Sequence, residues 1–379
     1  MYFYAVIFIA ILLPLLMRQK KIAFRISIIL LFILFGFQYE LVQDWEPNIG
    51  RWMYVNGNGT FTGLGQREIE PLFAWILRVC KPLSFFGFLM VLISLFLLIF
   101  YQFVIKFVPP KYYWLSLFVF LMRTDNALLY INSNRQTVAL MFSFLAVFIL
   151  WKIIPLPKFI DNLAIRLFLS LVLVYAGAHC HASGYGALLI YPVYFVAQYY
   201  KGERWIVTGV AASVIYLARL VVDISFLQGF SIAVQNAVGV EGWDEYFDLL
   251  GSEINDRSIF ETISFLIIIW IIAYSYRYVD TKVRFFMLYW FAGFLINNYF
   301  LGSAGRLGEY GYYFLPIAFP IAFDIVRREK NDTVARYLSF GIVFVIAYFI
   351  FSFFKETITG DYYYRWLNYK SIFGAPTWI

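Results

Sequence analysis

The sequence has few charged residues for its length. Charged side chains make up 14% of the 379 residues, whereas 62% are hydrophobic and 22% are aromatic. A soluble chain of this size could not bury that much apolar surface, so the composition excludes an ordinary soluble domain. Uninterrupted apolar runs of about 18 or more residues predict membrane-spanning helices. We therefore expect an all-α fold, a polytopic integral membrane protein in which residues 1–379 form a single multi-span domain.

Cysteine and histidine are also scarce. The two cysteines, Cys80 and Cys180, exclude a disulfide framework. The two histidines, His179 and His181, flank Cys180, and no third histidine could complete a zinc site. Successive positions on a helix point about 100° apart, so these neighbouring side chains would diverge. We expect no metal in the functional site.

The net charge of +7 is spread along the chain and forms no single basic segment. Lysines and arginines recur in short turns between apolar runs, as the positive-inside rule requires, which argues against a nucleic-acid partner. We place the turn at Arg18–Arg25 in the cytoplasm and let the spans alternate. The cytoplasmic turns then hold 18 basic and six acidic residues, and the rest of the chain holds 12 basic and 17 acidic residues. The apolar runs predict about twelve transmembrane helices, and this asymmetry places both termini outside. The first run, Tyr2 to Met17, lacks a basic segment before it and has its charges after it, so we expect no cleavable signal.

Nearly all of the long connections of this topology lie on the outer side. They are the loops 38–69 and 223–257 and the C-terminal tail 355–379, and residues 70–83 after the first loop predict a re-entrant or interfacial helix. The cytoplasmic turns are too short to hold a domain. Because loops carry most functional residues, we expect an active site on the outer, periplasmic face.

An arginine stands at the outer start of one apolar segment, in the stretch YINSNRQTVALMF. Arg135 follows Asn132, Ser133 and Asn134 at a predicted helix N-terminus, where free N–H groups and the helix dipole favour an anion. The guanidinium fork suits a phosphate. We interpret this stretch as an anion site, and snorkelling of a lone arginine to the interface is the alternative.

A second arginine occupies a similar position in GSAGRLGEYGYYF, residues 302–314. Arg306 and Glu309 share a helix face, which is also the pattern of a local salt bridge. The glycines of this stretch would let a ligand or another backbone approach closely.

Further candidates lie in outer loops. In GAHCHASGYG, a partly wet His181 suits a general base or a phosphate donor, and a hydrogen-bonded loop histidine is the alternative. The acids and aromatic residues of QDWEPNIGRW and EIEPLF suit sugar hydroxyls and stacking, and they equally suit a solvated loop.

Five stretches occur in one order between about residues 40 and 315: QDWEPN, EIEPLF, SNRQTVA, HASGY and RLGEYGYYF. In this order they resemble the EpsG-like group of Wzy-type polysaccharide polymerases. QDWEPN lacks the glycine that usually precedes the aspartate.

The resemblance implies a glycosyltransferase of the bacterial inner membrane that makes O-antigen or exopolysaccharide. It would transfer a glycan from an undecaprenyl-diphosphate carrier to the non-reducing sugar of another lipid-linked repeat unit at the outer leaflet. No cofactor is implied, because the lipid diphosphate is already activated. Besides the lipid-linked oligosaccharides and the lipid bilayer, a chain-length regulator in the membrane would be a partner.

The resemblance also implies roles for the candidates. The diphosphate would be bound by Arg135, Arg306, Asn132 and Ser133. His181 would be the first choice for the base that activates the acceptor hydroxyl, with Glu70 and Asp44 as rivals. The sugars would be bound by Trp45, Arg51, Glu309 and Tyr310.

Three other functions stay open. An O-antigen ligase would use the same donor, and a polyprenyl-phosphate-sugar-dependent glycosyltransferase would use paired acids such as those of DWE. A lipid-linked sugar flippase is the non-enzymatic alternative, although few charges lie within the predicted spans.

Overall fold

A computed structural model describes residues 2–39, 45–57, 69–122, 134–159, 161–200, 202–219, 258–299, 302–329, 331–359 and 370–371. Over these residues the fold is all-α, with one antiparallel pair of two-residue strands, Gln38–Tyr39 (β1) and Lys370–Ser371 (β2).

The helices of the described residues follow in chain order. They are α1 (Tyr2–Leu16), α2 (Lys20–Gly36), α3 (Trp45–Val55), α4 (Pro71–Val79), α5 (Ser84–Phe107), α6 (Tyr113–Met122), α7 (Asn134–Leu150), α8 (Leu163–Ala178), α9 (Ile190–Tyr199), α10 (Trp205–Ala218), α11 (Ile259–Ser275), α12 (Thr281–Tyr299), α13 (Gly302–Tyr312), α14 (Leu315–Arg328) and α15 (Thr333–Thr359). Short 3₁₀ helices cover Lys81–Leu83, Pro110–Tyr112, Ala182–Leu189, Gly202–Arg204 and Tyr276–Tyr278.

The chain divides into two compact units. Unit 1 consists of Met1–Phe144, Ala176–His181 and Phe349–Ile379. Unit 2 consists of Leu145–Tyr175 and Ala182–Tyr348.

In unit 1, helices α1, α2 and α5 pack side by side. Ser27 Oγ of α2 donates to the carbonyl of Ala10 in α1 at 2.6 Å, so a polar side chain in an apolar environment has its partner. The ring of Phe24 stacks on Tyr101 of α5, with ring centroids 5.6 Å apart.

Two short amphipathic helices of unit 1 lie against the start of α5. Trp52 of α3 and Phe73 of α4 both contact Phe88, with ring centroids 5.7 and 6.3 Å from it. Pro71 occupies the first turn of α4, where its missing N–H has no helical role. On the opposite side of α4, Trp75 and Val79 are exposed. Helix α4 therefore has one apolar face in the protein core and another on the surface.

In unit 2, helix α11 packs against both α10 and α14. Ser275 Oγ of α11 donates to the carbonyl of Ala322 in α14 at 2.9 Å. The polar turns of this unit are held by arginines. Arg277 donates to Asp332 at 2.9 Å and lies over the Tyr274 ring, 4.2 Å from its centroid.

Arg166, at the start of α8 in unit 2, is only 1% exposed. Its guanidinium donates to the carboxylate of Asp161 and to the carbonyls of Ile149 and Ile154. These partners offset part of the desolvation of the charge, and through them Arg166 joins the end of α7 to the start of α8.

The fold is that of a helical membrane protein. Among the described residues, three helical stretches are long and apolar enough to cross a bilayer: Lys81–Phe107, Ile259–Tyr278 and Thr333–Lys355. Tyr2–Leu16, Asn134–Leu150 and Leu163–Ala178 are shorter apolar helices. The predicted number of twelve spans stays a prediction.

Two of the predicted loops contain regular structure. The stretch 38–69 includes strand β1 and helix α3, whose buried Trp45, Asn48 and Trp52 recur with helical spacing. Helix α15 continues to Thr359, within the predicted tail 355–379. Helix α4 lies within 70–83, and its re-entrant or interfacial placement stays a prediction. The loop 223–257 lies outside the described residues.

Candidate functional site

An ion pair in unit 1 joins two of the predicted site residues. Arg135 Nη1 donates to Glu70 Oε2 at 2.8 Å, and the two side chains are 14% and 20% exposed. Arg135 is the second residue of α7, and Glu70 directly precedes Pro71 at the start of α4. The start of each helix thus contributes one charged group, and the pair is partly screened from water.

The end of helix α8 packs against the same part of α7. A Cβ atom on Gly177 would lie 3.1 Å from the carbonyl oxygen of Ala139, one turn after Arg135. A side chain at this position would require the neighbouring helix to shift by a few tenths of an ångström, so Gly177 favours the close approach of the two helices. The turn that carries Cys180 and His181 therefore begins beside the first turns of α7.

This turn is compact and buried. The backbone N–H groups of Cys180 and His181 both donate to the carbonyl of Gly177, each at 3.0 Å. Cys180 is fully buried and His181 is 9% exposed. Burial and, as the smaller cause, the Glu70 carboxylate raise the pKa of the Cys180 thiol to about 12. Glu70 therefore lies close enough to this turn for its charge to act there.

The sequence indicated these residues separately but gave no sign that Glu70 pairs with Arg135. The two residues are 65 positions apart, and helical periodicity reports only on neighbours within a few residues. One signal was available, since an arginine at the edge of an apolar segment requires a counter-charge. Glu70 was one of several acids that could have supplied it.

Two predicted sugar-binding residues lie on α3. The ring of Trp45 is 4% exposed and packs on Phe85 and Phe86, with centroid distances of 5.3 and 5.8 Å. In this position Trp45 serves to hold α3 on α5. Arg51 Nη1 donates to Asn48 Oδ1 at 3.2 Å, one turn earlier on the same helix. Asp44, Asn132 and Ser133 lie outside the described residues.

Tyr310 lies inside unit 2, on helix α13. Its ring is 1% exposed, and its hydroxyl lies 3.0 Å from Ser183 Oγ, in the 3₁₀ helix that follows His181. At Gly186, in the same 3₁₀ helix, an added Cβ would lie 2.2 Å from the carbonyl oxygen of Leu307. The 3₁₀ helix Ala182–Leu189 and the RLGEYGYYF stretch are therefore packed directly on each other.

Two glycines of α13 serve close helix packing. A Cβ on Gly308 would lie 2.3 Å from the carbonyl oxygen of Gly293 in α12, and one on Gly311 would lie 2.2 Å from that of Tyr289. The sequence predicted that these glycines admit either a ligand or another backbone, and at Gly308 and Gly311 the structure shows another backbone. Arg306 and Glu309 lie on this helix. Their parts in binding diphosphate and sugar stay predictions.

A further arginine, Arg219, follows the end of α10 in unit 2. It is 5% exposed, donates to Asn298 Oδ1 at 2.6 Å, and lies 4.8 Å from the centroid of the Tyr216 ring. The sequence places Arg219 near Asp223, but it does not indicate Asn298, which lies 79 positions away in α12.

The described residues contain no group of three or more histidine, cysteine, aspartate or glutamate side chains that could hold a metal ion. That the reaction needs no metal stays a prediction.

Residues 21–371 match the model of the EpsG family, so the match includes Glu70, Arg135, His181 and the whole of α13. Comparisons with curated proteins and with solved structures gave no match.

Proposed function

Because the chain belongs to the EpsG family, we propose that it is a polysaccharide polymerase that joins lipid-linked oligosaccharide repeat units. The donor is a glycan on an undecaprenyl-diphosphate carrier, and the acceptor is the non-reducing sugar of another lipid-linked unit. The reaction takes place at the outer leaflet of the bacterial inner membrane, in a chain of twelve spans with both termini periplasmic.

The observation that carries this proposal is the Glu70–Arg135 pair. A carboxylate oxygen at 2.8 Å from Nη1 shows that an anionic oxygen fits beside this guanidinium at the start of α7. A phosphate oxygen of the donor has the same charge and the same hydrogen-bonding role. The partial exposure of the pair leaves it within reach of a headgroup, unlike the enclosed Arg166.

In this glycosyl transfer the largest change in charge occurs on the diphosphate, which is the leaving group. The acceptor hydroxyl oxygen attacks the anomeric carbon of the donor, and the bond from that carbon to the diphosphate oxygen breaks. The lipid diphosphate leaves with the electron pair, and the hydroxyl proton passes to a base of unit 1, His181 or Glu70. Arg135 stabilises the charge that develops on the leaving oxygen.

The test is a product assay with the purified protein in liposomes that contain a lipid-diphosphate oligosaccharide. We expect a ladder of products that grows by whole repeat units. A single transfer to a different acceptor indicates a ligase or a monosaccharide transferase, and movement across the bilayer without new bonds indicates a flippase. Either result contradicts the proposal.

Variants of Arg135 test the site itself. Arg135→Ala should lower the rate of elongation by about 10²–10³, the usual cost of losing one donor to a developing charge. Arg135→Lys should retain part of the activity, because it keeps the charge but loses the planar fork. The matched control is Arg78→Ala, which removes an exposed arginine from α4 in the same unit. Normal chains from Arg135→Ala would mean that this arginine only snorkels to the interface.

A further inference from the structure

In the structure, the guanidinium that would bind the donor already holds a carboxylate. We propose that Glu70 is an exchangeable partner of Arg135: the donor diphosphate displaces the carboxylate, which then takes the proton of the acceptor hydroxyl. This inference rests on the proposed function, and it selects Glu70 over His181 as the base. In this scheme, binding of the donor releases the Glu70 carboxylate from Arg135, so that the carboxylate is available as the base.

The form of the ion pair favours exchange. Within the described part of the chain, the pair is joined by one hydrogen bond, from Nη1 to Oε2. A diphosphate offers several anionic oxygens and more charge, so it can occupy the guanidinium fork with two parallel bonds. Arg166 shows the contrasting arrangement, since three acceptors enclose it at 1% exposure. The part-exposed Arg135, with a single hydrogen bond to Glu70, is thus better suited to exchange its carboxylate partner than the enclosed Arg166.

The Glu70 carboxylate can move without disturbing helix α4. Glu70 occupies the N-cap position of α4, yet its side chain caps none of the helix N–H groups. The backbone carbonyl of Glu70 accepts the first helical hydrogen bond instead, from the N–H of Ala74 at 3.0 Å. Pro71 sets the first turn of the helix. Rotation of the carboxylate away from Arg135 therefore costs α4 no hydrogen bond.

The released carboxylate offers an anionic oxygen that can accept the proton of a hydroxyl group within hydrogen-bonding distance. The neighbouring Cys180 does not compete, because burial and the Glu70 charge raise the pKa of its thiol to about 12 and keep it protonated.

The step balances as follows. The diphosphate oxygens replace Glu70 Oε2 on Arg135, and the acceptor hydroxyl then donates its proton to Glu70 as its oxygen bonds to the anomeric carbon. The carbon–oxygen bond to the diphosphate breaks, and the diphosphate leaves bound to Arg135. When it departs, the Glu70 proton passes to water and the ion pair forms again.

The variant Glu70→Gln separates exchange from a structural role, because it keeps the size of the side chain and removes its charge. Farnesyl diphosphate serves as the binding probe, titrated by calorimetry in detergent, and elongation is measured with the lipid-linked substrate. Without a competing anion, Glu70→Gln should bind the probe several-fold more tightly than the unaltered chain. It should also elongate about 10²–10⁴ times more slowly, the range that general base catalysis contributes.

Two other variants complete the test. Glu70→Asp, whose carboxylate is one methylene shorter, should lie between Glu70→Gln and the unaltered chain in both measurements. It takes the place of Glu70→Gln if that variant does not fold. Glu203→Gln removes an exposed carboxylate at the 3₁₀ helix before α10 and should change neither measurement.

Equal or weaker binding of the probe by Glu70→Gln would overturn the exchange and make the pair structural. Tighter binding with normal elongation would overturn the role of Glu70 as the base. The binding measurement does not depend on the product. A chain that makes no polymer, but whose Glu70→Gln variant binds the probe more tightly, would contradict the proposed function and leave the exchange intact.

Discussion

The packing of α13 on α12 can be tested with one added methyl group. In Gly308→Ala, the new Cβ would lie 2.3 Å from the carbonyl oxygen of Gly293 and 2.6 Å from the backbone nitrogen of Asn297. Both neighbours are backbone atoms of one helix, so no side chain can move aside. The two helices must separate, by about 1 Å if a normal van der Waals distance is to be restored.

Two opposing terms set the magnitude. Alanine is favoured over glycine inside a helix by about 1 kcal/mol. Overpacking of a close contact costs about 1–3 kcal/mol, and here the rigid backbone places the cost at the upper end. The net destabilisation of unit 2 is therefore about 1–2 kcal/mol. A displacement of about 1 Å at a residue that positions substrate lowers the rate about 10²-fold. We expect this loss of elongation if Arg306, two residues before Gly308, binds the donor.

The matched control is Gly341→Ala, on α15. There the three nearest atoms to the added Cβ all belong to the side chain of Ile267, with Cγ2 at 2.9 Å, so the methyl group forces no close contact with another backbone. Thermal unfolding in detergent and the initial elongation rate are measured for both variants. Gly308→Ala should lower the midpoint and the rate, and Gly341→Ala should leave the rate unchanged. A normal rate and an unchanged midpoint for Gly308→Ala would refute this account of the α12–α13 contact.

Three other predictions concern the thiol, the topology and the metal. In a Cys80→Ser background, Cys180 should react slowly with a thiol reagent at pH 8, because its raised pKa leaves little thiolate, and Glu70→Gln should speed the reaction by removing a negative charge. Equal rates with and without Glu70 would contradict the placement of the carboxylate beside this turn. Cysteines introduced at Asn58 and Ser252 should be labelled from outside intact cells, and labelling only after lysis would reverse the predicted orientation. Elongation should persist in excess chelator, whereas a loss that magnesium restores would show that a metal takes part.

The sequence was sufficient for features that depend on neighbouring residues. The apolar runs predict a helical membrane protein, and SNRQTVA predicts a helix start where α7 begins, at Asn134. Pro71 after an acid predicts the start of α4. Each of these signals lies within a few residues of the structure that it specifies.

Features that depend on distant residues could not be read in this way. The packing of Trp45 on Phe85 depends on the placement of α5, which the residues around Trp45 do not reveal, and the part of Trp45 in sugar binding stays a prediction. Similarly, the glycines of α13 are compatible with a ligand or with a helix until Gly293 is found opposite Gly308. The pairing of Glu70 with Arg135 has the same origin, because it requires the starts of α4 and α7 to meet within unit 1.

The arginines in the polar turns of unit 2 have a role in the folded protein and, in the predicted topology, an earlier one during membrane insertion. In the predicted topology Arg166 and Arg277 belong to cytoplasmic turns, and by the positive-inside rule these cations would favour that orientation during insertion. After folding, Arg166 is enclosed by Asp161 and backbone carbonyls, and Arg277 is bound to Asp332. The same charges would thus orient the chain during insertion and stabilise the polar turns of the folded protein. Replacing either arginine by glutamine should first make the orientation during insertion less specific and then make the folded protein less stable. An experiment that follows newly made chains over time would separate the two effects.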